Sequence, residues 1–248
     1  MARRRTSPRL PAPWLRSVRL ADPIEARDRH PFSLPWLTDD FEMEFSQPVT
    51  ILCGENGSGK STLLEAIAEL AGFPATGGGA WRDSSALDDA VEGAAALARK
   101  LRPGWLPKMG QGWFLRAASF ASVAADTTGN YLDVSHGEGF VNLIMDRMSG
   151  QGVFLLDEPE AALSPRRQAE LLAFLAGIQR EADAQVIMAT HSPILMAVPG
   201  ATLLRLSRRG VEEVDLRRTD HFRLYQSFTL DPEAFVAAAM DGSLDSIT

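Results

Sequence analysis

Two stretches near the start of the chain alternate between apolar and polar residues. Residues 14–20 alternate well enough for a strand. Phe41, Met43 and Phe45 alternate with Glu42, Glu44 and Ser46. A period of two with one apolar face marks half-buried strands, which are commonly antiparallel. Three later runs, 49–53 (VTILC), 153–156 (VFLL) and 185–189 (QVIMA), are apolar with almost no alternation. Such runs suit central strands of a parallel sheet with helices on both faces.

Helical spacing falls between those strands. Residues 61–70 carry Leu64, Ile67 and Ala68, residues 84–101 are rich in Ala, and Phe140, Leu143, Ile144 and Met148 form another stripe. Ser164-Pro165 opens a helix to about Glu181, with Ser as N-cap and Pro at the first helical position. Ser192-Pro193 repeats that device for a short helix, and Asp231-Pro232 opens a last one through Met240. Residues 74–80 and 103–112, rich in Gly and Pro, read as loops; 203–206 and 211–216 read as a hairpin about Gly210. These elements predict an α/β fold with a mostly parallel central sheet flanked by helices. An N-terminal antiparallel sheet and a short helical insert at about 80–150 complete it. Residues 14–248 are expected to form one domain, and residues 1–13 a flexible basic tail.

Composition narrows the class. The 248 residues carry 25 Lys+Arg and 32 Asp+Glu, a net charge of −7, with 45% apolar residues. A chain coated with positive charge for nucleic acid is excluded, although a local basic patch is not. The single cysteine, Cys53, allows no intramolecular disulfide. The longest strongly apolar run, 171–178, is too short to span a bilayer, and the basic N-terminus leads into prolines rather than an apolar core. The expectation is a cytoplasmic protein with no membrane segment of its own.

Only three of the basic residues are Lys, and one lies in a glycine-rich loop. Residues 54–61 read Gly54-Glu55-Asn56-Gly57-Ser58-Gly59-Lys60-Ser61 and match the phosphate-loop pattern G-x-x-x-x-G-K-[ST] at every fixed position. A triphosphate is best held by converging backbone N–H groups, and glycines keep side chains out of the way. The helix that follows aims its free N–H groups at the same phosphates. Lys60 is expected to reach the β- and γ-phosphates, and Ser61 to ligate Mg²⁺ with Thr62 as a neighbour. Cys53, at the end of the strand before the loop, reads as a small core residue.

Strand 153–156 leads into Asp157-Glu158, and strand 185–189 into Thr190-His191. Ligands of open α/β sheets bind at the carboxyl ends of strands. Asp157 is therefore expected to hold Mg²⁺ through water, Glu158 to act as general base on a water molecule, and His191 to contact the γ-phosphate or that water. His30 and His221 have no such context.

In this order the motifs resemble ABC-type ATPases over roughly residues 40–206. Gly54–Ser61 stands as Walker A, Ser135-His136-Gly137-Glu138-Gly139 as the signature, 153–158 as Walker B and His191 as the switch histidine. His136 replaces a usual Gly. Ser-His-Gly-Glu, with the run 157–165, also resembles small stand-alone bacterial predicted ATPases. The resemblance implies that Ser135, Gly137 and Glu138 contact nucleotide bound by the opposite subunit. It thus implies an ATP-sandwiched homodimer that hydrolyses ATP with Mg²⁺. Gln111 and Arg116 are candidates for the family's glutamine position, and Phe32, Trp36 and Phe41 for its adenine contact. Residues 161–164 stand where its dimer-contacting loop lies.

Three tasks fit such a cycle: an ATPase on DNA in repair or phage defence, the motor subunit of a membrane transporter, or a nucleotide-gated module for an unidentified protein partner. Only 73 residues separate Ser61 from Ser135, too few for a long coiled-coil insert. Arg205, Arg208, Arg209, Arg217 and Arg218 are a candidate docking or DNA-phosphate patch.

Overall fold

The computed structural model describes residues 10–74, 77–79, 89–117 and 136–244. Its centre is a seven-stranded sheet in the order β10-β9-β3-β8-β7-β6-β4. The strands are β3 (Val49–Cys53), β4 (Gly78–Gly79), β6 (Gly112–Arg116), β7 (Val153–Asp157), β8 (Gln185–Ala189), β9 (Thr202–Ser207) and β10 (Gly210–Glu213). β9, β3, β8, β7 and β6 run parallel, and antiparallel β10 and β4 close the two edges. The apolar runs 49–53 and 153–156 and strand 185–189 are buried along their whole length, as the absence of alternation predicts.

A second, three-stranded antiparallel sheet has the order β2-β1-β5, with β1 at Leu15–Leu20, β2 at Glu42–Glu44 and β5 at Leu101–Trp105. The expected N-terminal sheet is present, but its third strand lies in a stretch read as helix end and loop. Pro103 faces Val18 across the pair, and Gly104 faces Ser17. β5 is an edge strand, the position in a sheet where Pro does least damage. The region around 80–150 is therefore not helical throughout: it also supplies β5 and β6.

The helices are α1 (Lys60–Ala71), α2 (Asp89–Lys100), α3 (His136–Arg147), α4 (Pro165–Glu181), α5 (Asp220–Leu230) and α6 (Pro232–Asp241). Part of the expected helix 84–101 lies outside the described residues. Ser164 caps α4 by accepting from the Arg167 N–H, and Asp231 caps α6 through Ala234 N–H. α5, with Thr219 as its cap, is an element that apolar spacing did not reveal. Two cores flank the sheet. One holds Leu63, Leu64 and Ile67 of α1 with Trp14, Trp36 and Phe73; the other holds Phe140, Leu143 and Ile144 of α3 with Leu171 and Leu175 of α4.

Residues 12 and 13, at the end of the expected tail, are buried. Ala12 is buried and its N–H donates to Ala182 O at 2.8 Å. Gln185, fully buried at the start of β8, ties this segment to the central sheet. Its Oε1 accepts from Trp14 and Leu15 N–H at 2.8 Å each, and its Nε2 donates to Leu15 O at 2.9 Å. No apolar residue can replace these bonds, and each buried N–H left unpaired costs about 1–3 kcal/mol. Gln185→Leu is expected to destabilise the fold by about 2–4 kcal/mol, a fall of about 4–16 °C in melting temperature. Thermal unfolding followed by circular dichroism checks this.

Candidate functional site

The loop 54–59 leaves the carboxyl end of β3 and turns into α1. Gly54 has φ +144°, and a Cβ there would meet Leu206 O at 2.4 Å. Gly59 has φ +87°, and a Cβ there would meet the Leu34 side chain at 2.6 Å. Gly54 is therefore required on conformational and steric grounds, and Gly59 by its backbone conformation. Gly59 caps α1 with no side-chain hydrogen bond, and the first turn carries no acid. The helix thus offers unblocked N–H groups and its positive end to an anion. Lys60 Nζ lies over the loop and donates to Gly54 O at 2.8 Å and Glu55 O at 3.1 Å. Burial lowers the Lys60 pKa, while Glu158 and other nearby acids favour its charged form.

Asp157 ends β7 beside this loop. Its Oδ1 accepts from Ser61 Oγ at 3.0 Å, and its Oδ2 lies 3.5 Å from Arg116 Nε. Arg116 also pairs with Glu65 of α1 at 2.8 Å. Burial raises the pKa of both acids, Glu65 to about 7, and Arg116 opposes the shift at each. A cavity of about 370 Å³ opens here between Ser61, Arg116, Asp157, Glu158 and Ala161–Ala162. A hydroxyl and a carboxylate 3.0 Å apart at the mouth of a phosphate loop suit Mg²⁺, which takes one or two protein oxygens and keeps its other positions for water and phosphate.

Glu158 adopts the left-handed backbone conformation, φ 49° and ψ 52°, rare for a residue with a side chain. Its N–H donates to Ala189 O at 2.9 Å, which holds the turn. The side chain stays 45% exposed, so its carboxylate is open to solvent. His191 Nε2 lies 3.7 Å from Glu158 Oε1 and, though buried, makes no hydrogen bond. The His191 backbone is fixed by Glu160, which accepts from His191 N–H at 2.5 Å and Thr190 Oγ at 2.7 Å. Burial and then Lys60 lower the His191 pKa.

Lys60, Ser61, Asp157, Glu158 and His191 thus gather at one sheet edge with residues 54–59. Thr62, on α1, meets His30 Nε2 through its Oγ1 at 3.2 Å, giving His30 a place that its sequence context did not. Ser135 lies outside the described residues, as does the side chain of His136, and Gly137 lies in the first turn of α3. The helix expected from Phe140 begins at His136. Glu138 pairs with Arg167 of α4 at 3.2 Å and does not line the cavity at Asp157.

Of the two candidates for the glutamine position, Arg116 reaches the site. Gln111 sits before β6, where its backbone carbonyl accepts from Val153 N–H at the far end of the strand. Trp36 and Phe41 are buried core, and Trp36 Nε1 donates to Ser58 O at 2.6 Å, bracing the loop from below. Cys53 is buried, and burial pushes its pKa up to about 11, as fits a core thiol. Arg205 is paired with Glu212 at 2.8 Å, while Arg208 and Arg209 are exposed at a wider cavity of about 700 Å³ shared with Gly54–Ser58. His221 and Glu160 are the residues that sequence reasoning missed. Glu160 sits in the acid run, and the stretch around Asp220-His221-Phe222 is similar to the small stand-alone ATPases, but neither residue is given a role by its sequence context.

Residues 31–77 match a family model described as "AAA domain", and residues 138–197 one described as "AAA domain, putative AbiEii toxin, Type IV TA system". The molybdenum import ATP-binding protein ModC of Methylococcus capsulatus is 29% identical over 189 residues, covering 65% of this chain and 52% of that protein. ModC of Bordetella pertussis is 28% identical over 168 residues, covering 58% and 46%. The chain spans about half the length of these curated relatives. Among solved structures, the SMC head domain from Thermotoga maritima is 13% identical with a TM-score of 0.47, covering 81% of this chain and 98% of that one. No helix among the described residues is long and apolar enough to cross a membrane.

Arg116 is the counter-charge for two buried acids, so its loss leaves both uncompensated. Arg116→Ala is expected to lower stability by about 2–4 kcal/mol. Adding Glu65→Gln should recover at least half of that, because one buried charge is then removed. Urea unfolding of the two single variants and the double variant checks the cycle.

Proposed function

We propose that this ABC-type P-loop ATPase binds and hydrolyses MgATP at the sheet edge just described, as a homodimer with ATP sandwiched between two copies. The observation that carries this reading is the 3.0 Å bond between Ser61 Oγ and Asp157, beside Lys60 and the open carboxylate of Glu158. The backbone N–H groups of 54–59 and the start of α1 would bind the phosphates, with Gly54, Glu55, Asn56, Gly57, Ser58 and Gly59 forming the cradle. Lys60 would neutralise charge on the β- and γ-phosphates. Ser61 and Asp157 would hold Mg²⁺, which supplies charge neutralisation across the same oxygens.

Glu158 is the general base in this reading: its exposed carboxylate can accept a proton from an attacking water. His191, whose buried Nε2 lies 3.7 Å from Glu158 Oε1, would position the water or the γ-phosphate. Ser135, Gly137 and Glu138 would serve the nucleotide of the other copy, in keeping with Glu138 being engaged away from its own phosphate loop.

The task we favour for the cycle is action on DNA, in repair or defence. Exposed Arg208 and Arg209 beside the phosphate loop support a phosphate-binding rim. The names of the import proteins favour a second reading, the motor subunit of a transporter.

Steady-state hydrolysis with and without linear duplex DNA tests these readings. Mg²⁺-dependent turnover is expected, falling about 100-fold or more in Glu158→Gln while ATP binding is retained. Stimulation of the wild type by DNA supports the first task, and indifference to DNA favours the second. A wild type no faster than Glu158→Gln would overturn the catalytic assignment.

A further inference from the structure

α5 brings one side chain to the catalytic edge. His221, its second residue, places Nε2 at 2.9 Å from Nδ1 of His191, with ring centroids 5.1 Å apart. The other nitrogen of His191 is buried, without a hydrogen bond, and 3.7 Å from Glu158 Oε1. We propose that His221 is a positioning residue that fixes the tautomer of His191, placing its proton on Nε2, the nitrogen that approaches Glu158. The inference rests on the role of His191 given above and adds a residue to it.

Two neutral imidazoles can bond in only two ways, each with one N–H and one lone pair. If His191 donated from Nδ1, its Nε2 would turn a lone pair toward a carboxylate oxygen, and two acceptors would face each other. If His221 donates from Nε2 instead, the His191 proton sits on Nε2 and faces an acceptor. The second arrangement is therefore the stable one.

Both rings stand on fixed backbone. Glu160 holds the His191 N–H. Buried Thr219 caps α5 by accepting from Phe222 N–H at 3.2 Å and donating to Leu216 O at 2.7 Å. The positive end of α5 beside His221 disfavours a second cation there. Burial lowers the pKa of each ring, helped by Lys60 at both and by His191 at His221, and this outweighs Glu158, Glu55 and Asp220, which favour the charged forms.

The test compares wild type, His221→Ala, His221→Gln and Glu158→Gln, reading kcat and KM for MgATP separately. The ¹⁵N spectrum of the imidazoles is recorded without nucleotide, with the His191 signals assigned from His191→Gln. We expect wild-type His191 to be protonated at Nε2 and bare at Nδ1, with mixed tautomers in His221→Ala. His221→Ala should lower kcat about 10- to 100-fold, the usual cost of losing a group that orients a functional histidine, with KM within about twofold. His221→Gln, whose amide can donate to Nδ1, should restore much of that loss. A His221→Ala kcat within about twofold of wild type would overturn the proposal. So would a wild-type His191 protonated at Nδ1, or a joint fall of kcat and melting temperature that Gln does not restore. A wild type no faster than Glu158→Gln would count against the ATPase reading instead, and the ¹⁵N spectrum would still decide the tautomer.

Discussion

In the central sheet Leu52 of β3 pairs with Ala189 of β8, Ala189 with Asp157 of β7, and Asp157 with Arg116 of β6. This single row of parallel register aligns the carboxyl ends of four strands. Each strand then releases its functional residue on the same side: the phosphate loop after Cys53, Asp157-Glu158, His191 and Arg116. Because side chains alternate along a strand, a slip of one residue in any pair would turn Asp157 or Arg116 to the opposite face. β3, β7 and β8 are buried along their whole length, so this register is set deep in the sheet interior. The site therefore depends on the packing of the sheet interior as much as on the polar residues at its edge.

Charge is the second constraint. Asp157 and Glu65 are both buried, and neither would stay ionised there alone. Arg116 reaches both, and Ser61 adds a hydrogen bond to Asp157. Lys60 is likewise buried, with its ammonium resting on two loop carbonyls. The apolar cores stabilise the fold, whereas this compact polar network carries a desolvation cost, which in the function proposed above serves to receive a charged ligand.

The parts legible in the sequence are those whose chemistry is local. The phosphate loop is an eight-residue pattern between a strand and a helix, and the acids and the histidine each end an apolar strand, so position followed from pattern. The resemblance to ABC-type ATPases agreed with the family matches. What escaped depends on distant partners. β5 carries Pro103 and Gly104, loop residues by composition, and becomes a strand because β1 offers it an edge. Gln185 looked like one more strand residue, yet its amide satisfies the backbone of Trp14 and Leu15 across 170 positions. His221 sits in a mixed polar and aromatic helix, and only the return of α5 to the sheet edge gives it meaning.

In the proposed cycle the carboxyl ends of the central strands bind MgATP, and bound nucleotide draws two copies together. Sedimentation of Glu158→Gln with saturating MgATP, following protein and nucleotide absorbance together, is the decisive measurement. A dimer is expected that carries one nucleotide per chain and returns to monomer when Mg²⁺ is chelated. A chain that stays monomeric with nucleotide bound would contradict the sandwich, and one that sediments free of nucleotide would contradict the site itself.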